Sequence, residues 1–150
     1  MTRHLLAAIV AFSACAAALA QVPLRFSASI ETFRGHAYAV GLHDGTLMYS
    51  DATPTSNPTP VAVTPTAEQW REFRSALDDI GVWTWHESYM PTEPIFDGTS
   101  WSLSVRYEDR SLVTGGSNAY PDARAFRQFE AAVEALLGGK AFRSADDAKQ

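Results

Sequence analysis

The chain has 150 residues, with 12 Lys+Arg against 17 Asp+Glu and a net charge of −5. An acidic chain of this kind repels phosphate backbones, which argues against nucleic acid as a partner. Aromatic residues make up 11% and charged residues only 19%, a composition that excludes disorder over most of the length and fits one domain with its own core.

Residues 1–20 have the grammar of a secretory signal peptide. Arg3 supplies a fixed positive charge, an apolar run follows from Leu5 to Ala14, and Ala18-Leu19-Ala20 offers a small-residue cleavage site. Export with cleavage after Ala20 is therefore expected, placing the protein in the periplasm or outside the cell. Cys15, the only cysteine, leaves with the leader in this reading. The rival reading is a lipoprotein, since Phe12-Ser13-Ala14-Cys15 resembles a lipobox, although that pattern wants an aliphatic residue where Phe12 stands. No later segment approaches the ~18 consecutive apolar residues of a membrane span.

Residues 21–139 read as one α+β domain. Leu24 to Glu31 alternates apolar and polar, the period of a half-buried strand. A second strand over His36 to Leu42 turns at Asp44-Gly45 into a third over Thr46 to Ser50, a three-stranded meander. A Pro/Thr-rich loop spans 52–60, and Val61-Ala62-Val63 suits a short strand. Thr66 and Gln69 form a capping-box pattern ahead of the helical stripe Trp70, Phe73, Leu77 and Ile80, with Gly81 as the stop.

Val82 to Glu87 is expected as a further short strand, with Trp83 and Trp85 on one face, followed by a long loop over 88–99. Trp101 to Tyr107 is the plainest strand. It turns at Glu108-Asp109-Arg110 into a strand over Ser111 to Thr114, which Gly115-Gly116-Ser117-Asn118 should break. Pro121 suits the first turn of a helix whose stripe is Phe126, Phe129, Val133 and Leu136/Leu137, and 140–150 is expected to be a polar, frayed tail. The sum is an antiparallel sheet of about five to seven strands, a meander plus a hairpin, packed against two helices.

From Thr66 onward, Gly81-Val82-Trp83-x-Trp85, Asp97-Gly98-Thr99-x-Trp101-Ser102-Leu103, Tyr107-Glu108-Asp109 and Gly116-Ser117-Asn118-Ala119-Tyr120-Pro121 resemble an uncharacterised family of small exported bacterial domains. The resemblance covers about half the chain, and its most specific stretch is Gly116 to Pro121. It implies the α+β fold and a shared loop cluster. It carries over no activity and no catalytic residue.

The chemistry-bearing motifs are few. His36 and His43 lie seven residues apart along an expected strand, about 23 Å at ~3.3 Å per residue, too far to share an ion. His86 and Glu87 would point to opposite faces of a strand, so no metal and no cofactor is expected. There is no Gly-x-Ser-x-Gly elbow and no thiol beyond the leader, and Ser117 has no base near it in sequence. Gly115-Gly116-Ser117 ahead of a helix lacks the lysine and spacing of a phosphate loop. The loop carboxylates Glu87, Glu93 and Asp97 leave room for a hydrolase, against the plainer reading that acidic loop residues keep a small domain in solution.

The remaining signal is aromatic. Trp83, Trp85, Tyr89 and Trp101 fall in or beside the long loop with Asp97, and Ser117, Asn118 and Tyr120 precede the last helix. Such a cluster either closes the core or binds a sugar or peptide, which pair apolar faces with hydrogen-bonding edges. With a turn near residue 109, Trp101 pairs approximately with residue 117. Asp97 and Asn118 should then meet at one end of the sheet, in a polar patch bordered by Trp101 and Tyr120. The reading that results is a non-enzymatic exported domain, an inhibitor or an envelope-interaction module, that binds an envelope protein or glycan through these eight residues. The alternative is an envelope hydrolase using loop carboxylates.

Overall fold

The structure is a computed structural model that describes residues 21–144; the expected leader, Cys15, and the stretch 145–150 lie outside the described residues. The elements run β1 (Arg25–Thr32), β2 (Ala37–His43), β3 (Thr46–Ala52), β4 (Val61–Val63), α1 (Ala67–Ile80), a 3-10 turn (Val82–Thr84), β5 (Ser88–Tyr89), β6 (Thr99–Arg106), β7 (Ser111–Ser117) and α2 (Ala123–Leu136). The sheet has seven strands in the order β4-β3-β2-β1-β6-β7-β5. Every neighbouring pair is antiparallel except β5 with β7. The α+β class, with a meander and a hairpin joined into one sheet under two helices, is what the periodicity implies.

The β1–β2–β3 meander turns where expected, at Asp44-Gly45, both at positive φ (48° and 79°). The β6–β7 hairpin shares its register with the meander only through β1, whose Arg25 to Thr32 pair with Arg106 to Thr99. Strand alternation puts Phe26, Ala28 and Ile30 of β1 and Trp101, Leu103 and Val105 of β6 on one buried face. The helices cover that face: Phe73 of α1 meets Phe26 edge-on at 5.1 Å, and Phe126 of α2 meets Trp101 at 4.8 Å. The opposite face carries Ser27, Ser29, Ser100, Ser102 and Ser104, and among the described residues no helix covers it. Thr66 and Gln69 cap α1 reciprocally at 3.1 and 2.8 Å, and Gly81 at φ 74° ends it.

Four expectations need correction. Val82–Thr84 coils into a 3-10 turn instead of a strand, because Gly81 in the left-handed region sends the chain straight into a Trp85 N–H to Val82 C=O bond of 2.9 Å. The parallel edge strand lies further on, at Ser88–Tyr89. Gly115 and Gly116 do not break β7; they pair with Ser102 and Trp101, and the strand runs to Ser117. Pro121 precedes the helix, whose N-cap is Asp122, accepting from the Ala125 N–H at 2.9 Å. The tail does not fray over 140–144. Phe142 is fully buried against Phe129 and Tyr38, Glu134 accepts its backbone N–H, and Glu130 accepts that of Ser144. Phe142 and these bonds, with the Tyr49 hydroxyl donating to the Ala141 carbonyl at 2.7 Å, anchor it together.

Candidate functional site

The eight residues singled out from the sequence separate into three places. Asp97, Ser117 and Asn118 line a surface cleft of about 230 Å³ at the end of the sheet where β1 finishes, β6 begins and β7 ends. Glu31, Phe33, Ile95 and Phe96 line it too. A tight clamp builds this corner. Asn118, at φ 52°, donates its backbone N–H to the Thr99 carbonyl and accepts the Thr99 N–H on its side-chain oxygen, both at 2.8 Å. Phe33 donates its N–H to the Gly98 carbonyl at 2.7 Å, tying the β1–β2 turn to the long loop. Gly98 sits at φ 147°, and a Cβ there would lie 1.7 Å from the Asn118 oxygen, so only glycine fits. The expected meeting of Asp97 and Asn118 is present, and the Asn118 side-chain oxygen is spent on the clamp.

Trp85, Tyr89, Trp101 and Tyr120 form an aromatic layer on the other face of the sheet. Trp101 is 3% exposed, stacks with Tyr120 at 6.4 Å, and donates its indole N–H to the Ala119 carbonyl at 2.9 Å. Tyr89 and Trp85 flank it at 5.8 and 6.1 Å, and Trp85 reaches Phe129 at 5.9 Å. The patch bordered by Trp101 and Tyr120 is therefore corrected. Ser117 pairs with Ser100, and Trp101 pairs with Gly116, one residue from the expected register. A one-residue step exchanges the faces of a strand. It moves Ser117 to the face away from Trp101, which lies on the core face of β6 with Leu103 and Val105, and Phe33, Ile95 and Phe96 form the apolar border.

Trp83 lies at the far end of β6. Its indole N–H donates to Asp78 at 2.7 Å, and its ring meets Tyr107 at 6.1 Å. Arg74 lies over Tyr107 at 4.2 Å and holds Asp109 with two bonds of 2.8 and 3.1 Å and Asp78 with bonds of 3.2 and 3.3 Å. The Arg74 hydrogen bonds draw the Asp109 carboxyl down to about 2, and burial pushes the Tyr107 hydroxyl well above its ordinary range. That hydroxyl is buried with no hydrogen-bond partner.

Sequence reasoning missed Glu31, Phe33, Ile95 and Phe96. Their exposures are 55% for Phe33, 51% for Ile95 and 95% for Phe96. The available signal was an Ile-Phe pair set between Pro94 and Asp97 in a Pro-containing loop, a place with no strand or helix to bury it. The histidines are dispersed: His36 bonds Asp51 at 2.5 Å, His43 ends β2, and His86 lies beside Tyr89. Among the described residues no group of three or more His, Cys, Asp and Glu is placed to hold a metal ion, and no helix is long and apolar enough to cross a membrane.

No protein-family model matches the chain, and a search of curated proteins finds none that does. The resemblance of 66–121 to small exported bacterial domains thus rests on the residues quoted for it.

Proposed function

We propose that this is an exported binding domain that acts by occupying a partner in the cell envelope, and that the cleft corner with its Ile95-Phe96 loop is the contact surface. The observation that carries the reading is Phe96, 95% exposed on a loop fixed at both ends. A lone exposed aliphatic residue needs no explanation. An almost wholly exposed Phe beside exposed Ile95 and Phe33, rimming a polar cleft, is the arrangement of an interaction site. Occlusion needs no nucleophile, metal or cofactor, and none is invoked. The hydrolase alternative has one supporting observation, that Glu31 and Asp97 line the same cleft. That cleft is open to water beside the exposed ring, whereas acid–base chemistry gains from a water-excluded site.

The test is retention of envelope components on the immobilised domain, 21–150, compared with Phe96→Ser. A species held by the first and released by the second supports the reading. Identical retention by both overturns it. Hydrolysis of cell-wall material that Asp97→Asn abolishes would establish the alternative.

A further inference from the structure

The partner's chemistry can be narrowed, on the reading that the corner binds. We infer that the 90–97 loop is a plug: it enters an apolar recess of a folded partner protein whose rim carries Lys and Arg. Three observations carry this. First, Ile95 and Phe96 are exposed where they rim the polar cleft, so an apolar recess that buries them must come from the partner. Second, it is braced before binding. Tyr89 pairs with Gly116 in the sheet, the Asn118 clamp holds Thr99, and Pro91 and Pro94 fix φ between them. A braced loop gives up little conformational freedom on docking.

Third, the charge around the loop is mainly acidic. Between Glu87 and Val105 the chain carries Glu87, Glu93 and Asp97 and no Lys or Arg, and Glu31 adds a carboxylate in the cleft. One cation, Arg34, lies at this rim over the Phe33 ring at 5.2 Å, against the four carboxylates Glu31, Glu87, Glu93 and Asp97. An acidic field around an apolar tip favours a basic rim and repels an anionic bilayer surface. A glycan is the weaker match, because the flat aromatic faces that stack on sugar rings, Trp85, Trp101 and Tyr120, are engaged with one another and with α2 on the core side.

The experiment places the photo-crosslinking amino acid p-benzoylphenylalanine at position 96 of the full chain and irradiates the envelope fraction of the cells that make it. Position 96 is solvated, so the replacement leaves folding intact. The expected result is an adduct to a protein, at a peptide flanked by Lys or Arg. Its yield should fall about tenfold between ~0.05 M and ~1 M salt, as screening shortens from over 10 Å to about 3 Å. Glu93→Gln with Asp97→Asn should lower the yield similarly, and Glu72→Gln with Asp79→Asn on α1 should not. An adduct to lipid or glycan, an acidic contact peptide, or a salt-independent yield overturns the plug while leaving a binding domain. Absence of any adduct, where Phe96→Ser still releases a retained species, places the partner elsewhere and overturns it too. Identical retention by Phe96→Ser is the separate failure of the binding reading itself.

Discussion

At the turn end of β6 and β7, Arg74, Trp83, Asp78 and Asp109 bond one another, with the Tyr107 ring packed under Arg74. At the opposite end, the loop leading into β6 leaves Ile95 and Phe96 in water. Both ends hold aromatics and carboxylates, and composition alone does not separate them. What differs is whether each group's partner belongs to the same chain. A cluster whose cations, carboxylates and indoles are mutually paired is a brace. A cluster whose backbone is paired while its apolar side chains are not is a surface waiting for a partner.

The largest expected effects fall on the layer behind the cleft, which this comparison treats as structural. Trp101→Ala should destabilise by about 3–5 kcal/mol, and Trp70→Ala on α1 by as much, since both rings are buried. Chemical denaturation reads this as a lowered midpoint, and an unchanged midpoint for Trp101→Ala would return that ring to the surface. Next comes the clamp. Asn118→Ala removes the acceptor for the Thr99 N–H and puts alanine at φ 52°, for an expected loss of about 1–3 kcal/mol. Asn118→Gly keeps the backbone conformation and isolates the hydrogen bond. Equal losses for the two would show that the bond outweighs the conformation.

At the braced end, Tyr107→Phe should raise stability by about 1 kcal/mol, because it removes a buried hydroxyl that has no partner and leaves a ring under Arg74. A loss there would mean that the hydroxyl is solvated. The Arg74–Asp109 pair gives a pH signature. The folded carboxyl titrates at about 2 against an ordinary 3.8, so the pair's contribution is fully present above about pH 4 and fades as the pH falls toward 2. Asp109 is exposed and the pair is screened, so this limb is shallow; Arg74→Gln should flatten it in thermal melts taken across that range. The smallest effect on stability belongs to Phe96→Ser, within about 0.5 kcal/mol of the parent. Should it destabilise more than Asn118→Ala, the loop is packed and the contrast between the ends collapses.

Most of the architecture was legible because each element announces itself locally. Thr66 with Gln69, the stripe Trp70-Phe73-Leu77, Asp44-Gly45, and the alternation through Trp101 to Tyr107 each specify one structure, and the structure follows them. The failures are failures of a single residue. The β6–β7 turn centres between Glu108 and Asp109, with Tyr107 N–H bonded to Arg110 C=O at 2.8 Å, half a residue from the expected centre. That half residue is one step of register, and it decided which face Ser117 occupies: beside Ser100 at the cleft and not beside Trp101 over the core. Trp83 was misplaced for a related reason: alternation on a strand and two residues astride a 3-10 turn look alike over three positions. Ile95 and Phe96 carry no period at all, and their place in a loop between Pro94 and Asp97 was the one sign that they stay unburied.

The place of β1 in the middle of the sheet has a kinetic meaning. Its partners on one side are local, with Glu31 opposite Ala37, and on the other remote, with Arg25 opposite Arg106. During synthesis the meander has its turns available early, yet the inner edge of β1 stays open until the chain has been made past β6. The pocket for Phe142 closes later still, after α2. Pairings that wait for distant segments slow folding, because a long loop must be closed before any contact rewards it. A chain arranged this way completes its sheet and its core only near the end of its synthesis.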